Sequence, residues 1–315
     1  MPPLRDGFGA SAEDGNVKQK PLIQLRDYQR EVFRAKYRRL FLLWERRAGK
    51  SFTLASEALD LMMATPGDLV TFISASIVLG SEFLLKEVRL WQQFLDLYRK
   101  AATQAGLKLE SNVDGLNLDD VADIFEHSKL ETKLWHDNTT CSRSRVIAPN
   151  PDTAVGWGAH IMGDEIGRWP NAKEVLEAVI PFMRENPRLK MRLATTPPPD
   201  DSHITFEMFL PPQEEFPINP LGNWFKAPCG IMTHRLDCYD RYAAGFSPFH
   251  PDTGVPITPD EDRKLAYDKT AWDRNQGLRF VVGGAAAVPL MQLQNAMVRG
   301  RGNCFAYDIT EELVA

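Results

Sequence analysis

The stretch that most constrains this 315-residue chain is Trp44-Glu-Arg-Arg-Ala-Gly-Lys-Ser51, which sits between two opposed patterns. Before it, Leu40 to Trp44 is wholly apolar, as a buried parallel strand requires. After it, Leu54, Ala58, Leu61 and Met62 recur at helical spacing, and Thr65-Pro66-Gly67 stops the helix. A strand, a short loop and a helix in that order bring backbone N–H groups and a helix N-terminus to one point, where phosphate binds. Gly49, Lys50 and Ser51 fit the end of the pattern G-x-x-x-x-G-K-[ST], but Trp44 stands where the first glycine is expected. In that mechanism the loop through Ala48 and Gly49 cradles phosphate, Lys50 reaches the β- and γ-phosphates of ATP, and Ser51 binds Mg²⁺. The bland alternative is a helix that merely begins Gly-Lys-Ser, and the strand–loop–helix context argues against it.

A second motif completes the first. His160 to Gly163 reads as a strand, and it ends in Asp164-Glu165. Ligands of a parallel sheet bind beyond the carboxyl ends of its strands, so Asp164 is delivered towards a metal. Glu165 then stands where a carboxylate can orient and deprotonate an attacking water. The alternative is a solvated acidic pair at a helix start. The strand Met191 to Thr196 ends in Thr195 and Thr196, placed either to sense hydrolysis or simply to make a turn before Pro197. Upstream, Gln29 has the amide to pair with adenine and Tyr28 the ring to stack on it, unless both are surface decoration.

Strands alternate with helices over the first 200 residues, which implies an α/β fold: a mostly parallel sheet with helices on both faces. After Thr196 prolines cluster, which predicts an irregular lid rather than a second wound sheet. The expected division is an N-terminal arm over 1–20, an ATPase core over 21–200, a lid or linker over 201–300 and a tail over 301–315. Helices are expected at Asp260 to Asp273 and Leu290 to Val298, and Ala101 to Asp123 as an acidic excursion on the rim. A net charge of −5 excludes coating of nucleic acid by bulk basicity but leaves room for a local basic track. The four cysteines form no CxxC pair and read as reduced thiols; Cys229, His234 and Cys238 lack a second ligand pair at zinc spacing. No apolar run approaches the roughly 18 residues of a membrane span, so no membrane association is expected.

Together these motifs resemble the ATPase domain of the large terminase subunit of tailed bacteriophages, most of all that of Mu-like phages. The resemblance rests on Tyr28-Gln29, on the loop with its basic residues before the glycine, and on Ser74-Ala75-Ser76. It continues through Arg145 to Gly156, Asp164-Glu165 and Ala194-Thr-Thr-Pro197, and so covers about residues 20 to 210. It implies a RecA-like, ASCE-type P-loop NTPase that hydrolyses ATP with Mg²⁺ to drive double-stranded DNA into a procapsid. Terminases commonly lack the first glycine and carry a loop arginine. Arg46 matches that position, which implies a catalytic role at the γ-phosphate, and Arg47 is its inseparable neighbour in ATP binding. Thr195 and Thr196 match the family's coupling motif. The implied partners are DNA, the portal of the procapsid, the small terminase subunit and further copies in a ring, in the host cytoplasm. A second arginine from across subunits is implied as well, with Arg143, Arg145, Arg168 and Arg192 all open. Only fourteen residues follow Arg301, too few for the nuclease domain that large terminases usually add, so an ATPase fragment without cleavage activity is expected.

Two other readings remain. A helicase-like or repair ATPase would use the same motifs but normally carries two tandem wound domains. A non-hydrolysing ATP-binding assembly protein would not need Lys50, Asp164 and Glu165 all intact. A GTPase is disfavoured, since no N-K-x-D motif follows Thr196.

Overall fold

The computed structural model describes residues 24–104, 125–154, 158–213, 215–282 and 296–297. Nine strands form one sheet in the order β3-β4-β5-β2-β6-β7-β1-β9-β8. They are β1 Arg39–Trp44, β2 Leu69–Ser74, β3 Phe125–His127, β4 Glu131–Trp135, β5 Cys141–Ile147, β6 His160–Asp164, β7 Met191–Thr195, β8 Asn223–Lys226 and β9 Met232–Leu236. The six strands from β5 to β9 in that order are mutually parallel, and antiparallel pairs close the two edges, β3-β4-β5 and β9-β8.

The apolar run of β1 shows why a parallel sheet results. Successive side chains of a strand point to opposite faces. Leu40, Leu42 and Trp44 enter one core with Tyr28, Leu54, Ala58, Phe72 and Phe83. Phe41 and Leu43 enter the other with Ile161, Val175, Leu193 and Phe209. The first core is covered by α1 (Asp27–Arg34), α2 (Lys50–Ala64) and α3 (Ile77–Gln104). The second is covered by α5 (Ala172–Glu185) and α6 (Ile204–Phe209), with the single turn α4 (Pro151–Ala154) beside them. A strand buried on both faces cannot alternate apolar with polar residues, and β1 does not.

The lid expectation needs a correction for residues beyond 200. The Pro-rich region is indeed loop-rich, but β9 pairs in parallel with β1, Leu40 opposite Met232 through Trp44 opposite Leu236. The core sheet therefore draws strands from both sides of the expected boundary. Three short helices follow: α7 (Cys238–Ala243), α8 (Pro259–Leu265) and α9 (Lys269–Asn275), the last two in place of the single helix expected at 260–273. The expected arm, the tail, most of the acidic excursion and most of the 290–298 helix lie outside the described residues. Among the described residues no helix is long and apolar enough to cross a membrane.

Candidate functional site

β7 lies between β1 and β6, so the tips of β1 and β6 are two strand spacings apart, roughly 9.5 Å. That gap lies between the loop 45–49 and the acidic pair. Gly49 caps α2 in the left-handed region at φ 91°, where an L side chain is strained, and a Cβ there would come within 2.6 Å of Gln29 Nε2. The positive φ demands glycine, and a side chain there would also push the Gln29 amide from its place. Trp44, which displaces the first glycine of the usual pattern, still belongs to β1. Its side chain is fully buried, packs edge-on against Tyr28, and donates from Nε1 to His234 Nδ1 at 2.8 Å.

Lys50 is almost fully buried and folds back onto its own loop, donating to the carbonyls of Trp44 at 3.0 Å and Glu45 at 3.2 Å. Its ammonium is also 3.5 Å from Glu165 Oε1, across the gap. Ser51 Oγ donates to Asp164 Oδ2 at 3.3 Å. The loop and the acidic pair are thus brought together. The other oxygen of each carboxylate, Asp164 Oδ1 and Glu165 Oε2, is buried and accepts no hydrogen bond. Burial, and the adjacent charge of Glu165, push the Asp164 carboxyl up to about 6, against the pull of Lys50 and Lys86. Lys86, on α3, is a second ammonium facing this carboxylate; nothing in its sequence context distinguishes it from a surface lysine.

Backbone strain concentrates here. Three described non-glycine residues have positive φ: Arg47 in the loop, Glu165 after β6, and Leu278 just past α9. Such conformations cost about 1 kcal/mol or more each and persist where the surroundings force them. Glu165 turns back because Trp169 Nε1 donates to the carbonyl of Asp164 at 2.9 Å. Behind it, the 3₁₀ turn Ile166–Arg168 is tied to β7, with Gly167 N donating to Thr195 Oγ1 at 3.1 Å. Thr195 in turn donates to the carbonyl of Thr196 at 2.8 Å. Both threonines are buried, and a side chain on Gly167 would collide with this link, 2.9 Å from Thr195 Oγ1.

Tyr28 and Gln29 are brought to the loop in a different way from the expected adenine contact. Tyr28 is fully buried and its hydroxyl donates to the carbonyl of Ala48 at 3.1 Å. Gln29 spends its amide on the backbone and on Thr53: Oε1 accepts from Arg26 N at 2.9 Å, and Nε2 donates to Thr53 Oγ1 at 3.1 Å and the Gly49 carbonyl at 3.4 Å. Here the pair buttresses the loop from beneath, because a tyrosine this close to Trp44 gains more from burial than from exposure.

The arginines separate by burial and partner. Arg46 and Arg47 are exposed on the loop. Partial burial and the like charge of Arg168 lower the Arg46 guanidinium from its usual range, countered by Glu165, with a further lowering contribution from Arg274. Arg168 lies 3.9 Å from Glu165 Oε2. Arg192, open as a residue reaching another subunit, is instead fully buried and held by Glu57 at 2.8 Å and the carbonyl of Tyr37 at 2.9 Å. Arg145 donates to Thr71 Oγ1 at 3.3 Å, and Arg143 lies 3.8 Å from Glu131, away from the loop. Sequence reasoning missed Arg274 and Asn275 altogether: the carbonyl of Asn275 accepts from Arg46 N at 3.1 Å. No group of three or more metal-ligating His, Cys, Asp or Glu side chains occurs among the described residues. His234 is committed to Trp44 and to the carbonyl of Leu221, and burial lowers it to about 4.

The chain matches no family model and no curated protein. Among solved structures it is similar to the large terminase ATPase domain of Thermus phage P74-26, with a TM-score of 0.51 and 15% identity over 81% of this chain and 93% of that one. An arginine-to-alanine mutant of that domain gives 0.53 and 16% over the same shares. The sheet, the loop after β1 and the acidic pair after β6 are therefore set in the fold of a phage large terminase ATPase domain.

Proposed function

We propose that this chain is the ATPase portion of a phage large terminase and hydrolyses ATP to move double-stranded DNA into a procapsid. The observation that carries the reading is the meeting of Lys50 with Glu165 at 3.5 Å and of Ser51 with Asp164 at 3.3 Å across the gap between β1 and β6. The structural likeness to ATPase domains of phage large terminases supports the same reading.

The residues fit a magnesium ion. Asp164 Oδ1 is buried with no donor, and the Ser51 hydroxyl lies beside the other oxygen. One carboxylate and one hydroxyl, without an all-protein cage, match how Mg²⁺ is held together with nucleotide phosphates and water. The ion would neutralise charge on the β- and γ-phosphates. Lys50 exchanges the carbonyls of Trp44 and Glu45 for phosphate oxygens. Glu165 holds the attacking water and takes its proton, and Arg46 stabilises charge that develops on the transferred phosphoryl group. Through Gly167 and Thr195, displacement of the turn after Glu165 moves the tip of β7, and Thr196 carries this coupling towards the segment beyond. The portal, the small terminase subunit and a ring of copies belong to this reading as partners.

A helicase-like enzyme would call for a second wound sheet, whereas all the described strands belong to one. The test is steady-state ATP hydrolysis by the purified chain, alone and with DNA and procapsids. Glu165→Gln should cut turnover at least 100-fold, within the range for loss of a general base (roughly 10²–10⁴), with ATP binding retained. Near-normal turnover in that variant removes the assignment, and unwinding of a tailed duplex would favour the helicase.

A further inference from the structure

A cleft of about 360 Å³ opens between the 3₁₀ turn that follows Glu165, the end of β7 and α9. Its lining includes Gly167, Arg168, Thr195, Thr196, Arg274 and Asn275. Arg46 adjoins it through the hydrogen bond from its N–H to the Asn275 carbonyl, and the charges of Arg168 and Arg274 are both felt at Arg46. Two guanidinium groups, of Arg168 and Arg274, thus line one opening, and the backbone of Arg46 borders it. The carboxylate of Glu165 lies 3.9 Å from Arg168 and is already shared with Lys50. Arg274 is half-buried, and the neighbouring carboxylate of Asp273 is taken by Arg263 at 2.6 Å.

Like charges so placed repel one another, and the repulsion is relieved when an anion with several acceptor oxygens enters. Planar guanidinium forks suit a tetrahedral oxyanion, and the Thr195–Gly167 link forms the wall. We infer that this cleft is a binding site for inorganic phosphate, the product of hydrolysis, held by Arg168 and Arg274. The inference rests on the ATPase reading. Hydrolysis adds water across the bond between the γ-phosphorus and the bridging oxygen, leaving ADP on the loop and phosphate next to Glu165, at the mouth of this cleft. Because the chain just past α9 is tied to β9, with Arg235 Nη2 donating to the Gly277 carbonyl at 3.1 Å, loss of phosphate would be registered by the segment after β9.

The experiment loads the whole chain with ADP and titrates inorganic phosphate by calorimetry. Phosphate should bind with millimolar affinity. Arg274→Ala should weaken it about tenfold, equivalent to ~1.4 kcal/mol, with ADP affinity unchanged within about twofold. Arg168→Ala, on an exposed turn, should do the same, and it keeps the test valid if Arg274→Ala does not fold. Phosphate affinity unaltered in either folded variant overturns the inference. So does a tenfold loss for ATPγS with no loss for phosphate, which would mean that these arginines grip only the intact triphosphate. Failure of ADP itself to bind would instead overturn the ATPase reading, and is seen in the first step of the same titration.

Discussion

Two pairs of carboxylates in this molecule, Glu57 with Glu87 and Asp164 with Glu165, are handled in opposite ways. Towards the amino ends of the strands, Glu57 is matched by Arg192 at 2.8 Å and Lys190 at 3.3 Å. On α3, Glu87 accepts from Thr132 Oγ1 at 2.7 Å and Ser144 Oγ at 2.9 Å. At the carboxyl tip of β6, Asp164 and Glu165 each keep one buried oxygen without a donor, and the backbone at Glu165 is held at φ 51°. An unmatched buried acceptor costs about 1–3 kcal/mol, which a fold recovers when a ligand supplies the missing partner. The closed setting clamps helices to the sheet; the open one leaves its charge for nucleotide and metal. Charge in a protein core is therefore not one phenomenon: both oxygens of Glu57 and of Glu87 have partners, and one oxygen each of Asp164 and Glu165 has none.

Substitutions can break this contrast. Lys50→Ala should have the largest effect, lowering ATP hydrolysis at least about 1,000-fold, measured by steady-state turnover. Arg192→Met should act on stability instead. It strands Glu57 in the core and should destabilise the fold by about 3–5 kcal/mol in urea, with turnover of the remaining folded protein within a few-fold of normal. Gly49→Ala touches both sides of the contrast: positive φ and the approach to Gln29 should cost about 1–3 kcal/mol and slow turnover by about tenfold.

The smallest effect is a pH dependence. Burial raises the Glu87 carboxyl to about 8, above its unfolded value near 4.3. Between those values the unfolded chain has released a proton that the folded chain retains, so this group's contribution falls as pH rises and stops changing above about 8. Glu87→Gln removes that contribution. Stability of the variant relative to the parent, from urea unfolding at pH 5.5 and 7.5, should therefore rise with pH, by up to about 1.4 kcal/mol per unit. Parallel curves for the two proteins would show that Glu87 is ionised in the fold.

Much of the site was legible because two periodicities meet at Gly49. An uninterrupted apolar strand and a helical repeat can be joined in few ways, and the motif says which. Asp164-Glu165 was legible for the same reason, at the end of another apolar run. Tyr28 and Gln29 are expected from the sequence at adenine or on the surface, and their contact with the loop was not readable. Whether such side chains face a ligand or the loop's underside depends on Trp44 and Thr53 at once. β9 escaped notice because Thr233, His234 and Arg235 look like loop residues. They are buried all the same, with His234 and Arg235 satisfied by Trp44, Leu221, Gly277 and Asp237, partners that exist only after folding. Arg274 was beyond reach for a related reason: it comes to the loop only when α9 packs against Arg46.

The central claim is that the ammonium at Lys50 and the acids at 164 and 165 serve one nucleotide. A crystal structure of the chain with Mg²⁺, ADP and beryllium fluoride tests it directly. The account predicts that Lys50 leaves the carbonyls of Trp44 and Glu45 for the phosphate mimic, with Ser51 and Asp164 at the ion and Glu165 facing the mimic. A nucleotide bound elsewhere, or at the loop with Asp164 and Glu165 turned away from the ion and the mimic, would contradict it.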